Sequence, residues 1–246
     1  VISAGNGLRV IPSKTIKSAE FIDSVLRLNP RFAVFDCDGT LWAGDAGEGF
    51  FDWELKQGVL SDEIMRWARP RYADYKAGKV SEDNMCGEMV TMHRGLPEAD
   101  VQRAANRFFD ETFANQIFPE MRQLVRRLQQ SACDVWAVSS TNEWVIRAGM
   151  KHSDIPENRI LAASVLIDNG LITDRLLRVP TGEGKPRAIR DVVGKDPDAA
   201  FGNSRWDTEM LGMARHAFAV NPNPDLEKTA RERGWTIYCP DSVGPR

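Results

Sequence analysis

Phe32-Ala33-Val34-Phe35 runs without a break into Asp36-Cys37-Asp38-Gly39-Thr40-Leu41, and the reading of this stretch decides the fold. Apolar residues in an unbroken row lack the alternation of a half-exposed strand. They read as a strand buried on both faces, the habit of a parallel sheet covered by helices. Alternate residues at a strand end point the same way, so two bare carboxylates there raise each other's pKa and oppose folding. A divalent cation removes that conflict, and magnesium suits oxygen ligands, keeping waters beside one or two carboxylates and a substrate phosphate. The plainer alternative is a solvated loop after the strand. A calcium loop is excluded, because Gly39 comes too early for the EF-hand register.

Outward from this strand, more short apolar runs stand out: Val135 to Val138, Ala199 to Phe201 and Ala217 to Val220. Each ends abruptly in polar residues, at Ser139, Gly202-Asn203 and Asn221. In open α/β sheets ligands bind beyond the carboxyl ends of the strands, so these endings converge on one crevice. Met121, Leu124, Val125 and Leu128 repeat at helical spacing behind Pro119, a good helix-opening residue. Asn169-Gly170 between apolar flanks marks a hairpin from Val165 to Thr173, a small flap interrupting the α/β alternation. From Ala46 to Thr112 there is no strand-like run, and helical patterns open at Ser61, Ser81 and Pro97. The expected fold class is α/β, with a Rossmann-like parallel sheet core and helices on both faces. Residues 1–44 and 114–246 form that core, and residues 45–113 form a small helical cap inserted after the first core strand, lying over the carboxylates as a lid.

At 246 residues the chain can bury one sizeable core. Its formal charge of -3 and its lack of a Lys/Arg run leave no footprint for nucleic acid or an anionic membrane, so neither is an expected partner. No stretch approaches the roughly 20 apolar residues of a membrane-spanning helix, and the opening VISAGNGLRVIPSK lacks a signal peptide's apolar centre. A cytoplasmic protein is expected, with a periplasmic or secreted one as the alternative because the chain opens on Val1. Cys37, Cys86, Cys133 and Cys239 are too scattered for a metal site or disulfide framework and are expected as reduced thiols.

Further elements carry chemistry only in combination. Ser139 ends VWAVSSTN, where a hydroxyl and the amides entering the next helix can donate to a phosphoryl oxygen, or simply cap that helix. Lys185, in TGEGKPRAIRDVV, sits at a helix start where the dipole disfavours a cation, so either an anion lies nearby or the lysine is a solvated surface charge. It belongs to no nucleotide P-loop, since Pro186 stands at the Ser/Thr position. Asn203 and Asp207 bracket a turn in AFGNSRWDTEML: Asn203 offers a neutral oxygen ligand, and Asp207 can orient a metal-bound water or pin Lys185, with a helix cap as the bland alternative.

In this order and spacing the chain resembles the haloacid dehalogenase superfamily, whose signatures stand here as DCDGTL, VSS, GEGK and GNSRWD. More narrowly it is similar to the phosphoserine phosphatase-like branch, in which a helical cap follows the first motif and a hairpin such as VLIDNGLITD precedes the lysine. The resemblance spans Phe32 to Trp235. It implies that Asp36 is the nucleophile and a magnesium ligand, and that Asp38 is the general acid and then base, with its main-chain carbonyl on the metal. Ser139 and Lys185 are implied to hold the phosphoryl oxygens, with Asn203 and Asp207 completing the metal site. Asn203 replaces the aspartate of many relatives, and Ser140-Thr141 replaces the Gly-Gly of phosphoserine phosphatases. Asp45 stands where those enzymes use a glutamate for the substrate's amine.

Asp45, Ser140, Thr141 and Trp42 are therefore expected around the substrate. Trp42, Trp53, Trp67, Tyr72 and Tyr75 suit a cationic head group if they face the site, and otherwise form the cap's own core. Arg66, Arg69 and Arg71 would instead receive a substrate carboxylate. The expected function is magnesium-dependent hydrolysis of a small phosphate ester, phosphoserine-, phosphoethanolamine- or phosphocholine-like, through an aspartyl phosphate, by a monomer or homodimer. The alternatives are a phosphotransferase or mutase, and a non-catalytic phosphate-ligand binding protein on the same fold. A dehalogenase is disfavoured, because Asp38 and a magnesium site serve phosphate chemistry.

Overall fold

The computed structural model describes residues 16–243; the opening stretch 1–14, read above for a leader, lies outside them. Strand β1 (Phe32–Phe35) is buried along its whole length. It lies between β2 (Asp134–Asn142) and β5 (Ala199–Gly202), parallel to both, so its peptide groups are paired on each side. The sheet continues outward through β3 (Ile160–Asp168) and β4 (Leu171–Arg178) on one flank, and β6 (His216–Val220) and β7 (Thr236–Tyr238) on the other. Its seven strands run in the order β4-β3-β2-β1-β5-β6-β7, and only the β3/β4 pair is antiparallel.

Side chains of β1 leave on alternate faces. Ala33 and Phe35 join a hydrophobic cluster with α1 (Ser18–Arg27), α6 (Pro119–Gln130) and α7 (Glu143–Met150). Phe32 and Val34 join another with α8 (Gly184–Val193), α9 (Thr208–Met213) and α10 (Pro224–Arg233). Met121, Leu124, Val125 and Leu128 are all buried, as their spacing predicts. Two expectations change in extent. β2 does not stop at Val138 but runs on through Ser139, Ser140 and Thr141. The hairpin is also more than a flap: Leu161 to Val165 are buried and β3 pairs with β2, so its first half is core strand and its far end reaches out.

Between β1 and α6 lie α2 (Ala46–Gln57), α3 (Asp62–Lys76), α4 (Glu82–Thr91) and α5 (Glu98–Phe108), ending in a π-turn at Phe109–Phe113. Asp45, Ser61 and Ser81 cap the first three helices by accepting the main-chain N–H of Glu48, Ile64 and Asn84. Phe51, Leu55, Leu60, Ala68, Val80, Met85, Met89 and Met92 make a cluster of their own. Phe50, Val90, Val101, Ala105 and Phe108 belong instead to the main core. The turn before α5 is also sewn to the hairpin, with Gly95 N–H donating to Ile172 O, Ile172 N–H to Leu96 O and Glu98 N–H to Gly170 O. Among the described residues no helix is long and apolar enough to cross a membrane.

Candidate active site

Asp36 is the first residue beyond β1, held to β5 by its N–H donating to Phe201 O at 2.9 Å. Lys185, on the first turn of α8, is only 2% exposed, which rules out the solvated surface charge. Its Nζ donates to Asp36 Oδ1 at 2.7 Å, Asp207 Oδ1 at 2.5 Å and Val138 O at 3.2 Å, so each ammonium proton has an acceptor. The remaining oxygen of Asp36 accepts from the Thr40 hydroxyl at 3.0 Å. Burial, then the charge of Asp207, push the Asp36 carboxyl up to about 6 against the pull of Lys185. Burial works against the charge of Lys185, but Asp207 and Asp36 outweigh it and hold the ammonium above the ordinary lysine value.

Asp207 departs from the expected metal ligand. Its Oδ2 accepts from Asn203 N at 3.0 Å, Ser204 N at 2.9 Å and Ser204 Oγ at 3.2 Å, while Oδ1 takes Lys185. Fully buried and absent from the cleft lining, unlike Asp36, Asp207 pins the lysine and the turn rather than facing an ion. Asn203 lies across the first motif. At Gly39, where φ is +73°, a Cβ would stand 1.8 Å from Asn203 Nδ2, so only glycine fits.

Asp38 sits in a different setting. Its Oδ1 accepts the Trp42 indole N–H at 2.7 Å and the Ala46 N–H at 2.6 Å, and its Oδ2 lies 2.7 Å from Thr141 Oγ1. An N–H can only donate, whereas a hydroxyl can also accept, so a proton on Asp38 belongs on Oδ2 facing Thr141. Burial, followed by the charge of Asp45, pushes the Asp38 carboxyl up to about 7 against these donors. Gly47 permits the approach of α2, since a Cβ there would come within 2.7 Å of Thr141 Oγ1.

Trp42 is the second correction. Fully buried, with its ring edge-on to Phe109, it faces no cavity and serves as a clamp on Asp38 rather than a wall for substrate. Ser139 is also no helix cap, for Asn142 accepts from Val145 N–H and caps α7. Its Oγ accepts from Thr141 N at 3.1 Å.

One cleft of about 610 Å³ is lined by Asp36, Asp38, Ser139, Lys185 and Asn203, and also by Asp45, Ser140 and Thr141. Trp42 and Asp207 stand behind it. Glu48, Tyr75, Glu82 and Asn221 line it as well, and sequence reasoning did not single them out for the site apart from Tyr75 among the cap aromatics. Thr40 was visible inside the first motif, but nothing in the sequence near Glu82 announces a site. Arg66, Arg69 and Arg71 do not line the cleft. Arg71 holds Glu88 through two bonds of 2.7 and 2.6 Å, and Arg69 lies 3.9 Å from Asp52.

The oxygens of this cleft suit magnesium. Lys185 is flanked by two carboxylates, which leaves a buried excess of negative charge for a cation to answer. Asp36, the Asp38 main-chain carbonyl and the Asn203 amide are hard donors of the kind magnesium shares with water and phosphate. Among the described residues no three His, Cys, Asp or Glu gather as a metal cluster, so an ion here relies on such neutral oxygens and waters.

A family model described as haloacid dehalogenase-like hydrolase matches residues 33–212. The phosphoserine phosphatase SerB1 of Mycobacterium tuberculosis is 27% identical over 227 residues, covering 83% of this chain and 69% of its own. The histidinol-phosphatase of Neisseria meningitidis serogroup C is 24% identical over 215 residues, covering 83% of this chain and 96% of its own. Among solved structures, a protein of unknown function from Bordetella pertussis Tohama I superposes with a TM-score of 0.75 at 20% identity, over 85% of this chain and 97% of that one.

Proposed function

The chain belongs to the haloacid dehalogenase-like hydrolase family and is a phosphatase, and on that footing we propose that it hydrolyses a small phosphomonoester through an aspartyl phosphate on Asp36. The observation that carries this is the contrast between neighbouring carboxylates: Asp36 is bonded to a buried cation, whereas Asp38 is bonded only to neutral groups, the Trp42 indole, the Ala46 N–H and the Thr141 hydroxyl. Paired carboxylates whose surroundings divide them in this way divide nucleophilic from proton-transfer work.

An Asp36 oxygen attacks phosphorus and the bond from phosphorus to the ester oxygen breaks. Asp38 gives its proton from Oδ2 to the departing alkoxide, then takes one from the water that cleaves the aspartyl phosphate. Lys185 and Ser139 hold phosphoryl oxygens, so positioning and charge do most of the catalysis. Asp36, the Asp38 main-chain carbonyl and Asn203 would hold magnesium, whose charge would let one anion approach another. Residues 45–113 act as the cap, shielding the intermediate. The names of the relatives support a small ester, since one is a phosphoserine phosphatase and the other a histidinol-phosphatase.

The test is phosphate release from p-nitrophenyl phosphate. Release that needs magnesium, stops with chelator and is lost in Asp36→Asn is expected. Release that persists in Asp36→Asn overturns the nucleophile, and release indifferent to chelator overturns the metal.

A further inference from the structure

We infer that Thr141 is a catalytic residue, the hydroxyl through which Asp38 passes its proton to the leaving alkoxide and recovers one from the attacking water. This rests on the phosphatase reading and adds a member to its proton path.

The two oxygens of Asp38 are not equally placed to move a proton. Oδ1 accepts from the Trp42 indole N–H at 2.7 Å and from the Ala46 N–H at 2.6 Å, which occupies both of its lone pairs with groups that can only donate. Oδ2 has one bonded neighbour among the described residues, Thr141 Oγ1 at 2.7 Å. When Asp38 is protonated the Thr141 hydroxyl accepts from it, and the hydroxyl's own proton is left to give. When Asp38 is ionised the same hydroxyl donates to Oδ2. A single turn of the hydroxyl about its C–O bond therefore follows the proton from one state to the other.

Thr141 also stands where the ester must lie. Its N–H donates to Ser139 Oγ at 3.1 Å, and both residues line the cleft with Asp36 and Asp38. The hydroxyl is held from behind by α2, where a Cβ on Gly47 would come within 2.7 Å of Oγ1 and 3.3 Å of Cγ2. Asp38 is its one side-chain partner among the described residues, so its free proton has the cleft to face. In the first step that proton passes to the ester oxygen as the bond to phosphorus breaks, and the Asp38 proton passes from Oδ2 to Oγ1. Threonine is unchanged and Asp38 is left as a carboxylate. In the second step a proton of the attacking water passes to Oγ1, and the hydroxyl proton returns to Asp38.

The experiment measures kcat/KM, which reports phosphoryl transfer to Asp36, on two kinds of ester. From p-nitrophenyl phosphate a phenolate departs without needing a proton; from phosphoserine, phosphoethanolamine and glycerol phosphate an alkoxide must receive one. Thr141→Val is expected to lose about a hundredfold on the alkyl esters and less than about tenfold on p-nitrophenyl phosphate. Thr141→Ser, which keeps the hydroxyl, should recover most of the alkyl loss. An equal loss on both kinds of ester marks a purely structural role and overturns the relay. So does an undiminished alkyl rate in Thr141→Val, a Thr141→Ser that recovers nothing, or an unsubstituted protein that hydrolyses p-nitrophenyl phosphate and none of the alkyl esters. In each of these cases p-nitrophenyl phosphate turnover by the unsubstituted protein keeps the phosphatase. Absence of turnover on every ester overturns both.

Discussion

Lys185 and His93 are both buried beside carboxylates, one beneath the carboxyl end of the sheet and the other inside the helical insertion. Lys185 meets two carboxylates and a carbonyl, and the remaining oxygens of Asp36 and Asp207 are bonded in turn. His93 Nε2 lies 2.7 Å from Glu54 Oε1 and its Nδ1 lies 3.2 Å from Val90 O, while Glu54 Oε2 has no partner. The first network is fully bonded yet carries excess negative charge. The second is balanced in charge yet leaves an oxygen unsatisfied. An imbalance of charge invites an ion from outside, which suits a reaction site. A balanced pair asks for nothing and fixes how α2 sits on the end of α4, with the His93 ring edge-on to Trp144.

The sharpest way to break this contrast is Lys185→Met, which leaves Asp36 and Asp207 buried without their cation. A loss of about 3–5 kcal/mol in urea unfolding is expected, together with loss of phosphate release. Next is Glu54→Gln, at about 2 kcal/mol near neutral pH. Burial alone would lower His93, but Glu54 holds it above its ordinary value, and burial raises Glu54 as well. The folded state therefore keeps the His93 proton longer than the unfolded chain does. That stability is complete below about pH 6.5 and is lost as pH rises through the folded pKa. In Glu54→Gln the imidazole is buried with no counter-charge, its pKa drops below 6.5, and stability should instead rise with pH across this range. A slope unchanged between the two proteins would show that the pair does not titrate as drawn.

Thr141→Val removes the single partner of Asp38 able to accept a proton as well as give one. It should lower kcat about tenfold or more, while unfolding shifts by only about 1 kcal/mol. Trp42→Phe removes a donor to the other oxygen and should act in the same direction. Arg69→Ala, at an exposed pair 3.9 Å apart, should change unfolding by less than about 0.5 kcal/mol and separates buried from surface charge.

What could be read in advance follows from how local each signal is. β1, β2, β5 and β6 each show an apolar run ending in polar residues, which is a property of a few adjacent positions. Asp36, Asp38, Ser139 and Asn203 sit at such endings, and Lys185 reaches them from the first turn of α8, so these residues line one cleft. Trp42 was misplaced because a tryptophan beside a motif has the same sequence whether its ring faces a cleft or packs under it; the π-turn bringing Phe109 against it settles the matter. For Asp207 the sequence left open a metal role or the pinning of Lys185, because spacing does not display that its oxygens face Lys185 and main-chain groups of its own turn. Glu82 and Tyr75 were hidden as a carboxylate–hydroxyl pair because they meet only once α3 has folded back on α4. The arginines of α3 were plausible carboxylate receivers until Arg71 was found closed onto Glu88.

The stitches between residues 95–98 and the hairpin bear on how the cleft admits its ester. An insertion fastened at both its α2 root and the sheet's rim is a hood, not a door. Swinging it wide would break these main-chain hydrogen bonds and pull Val101, Ala105 and Phe108 of α5 out of the main core.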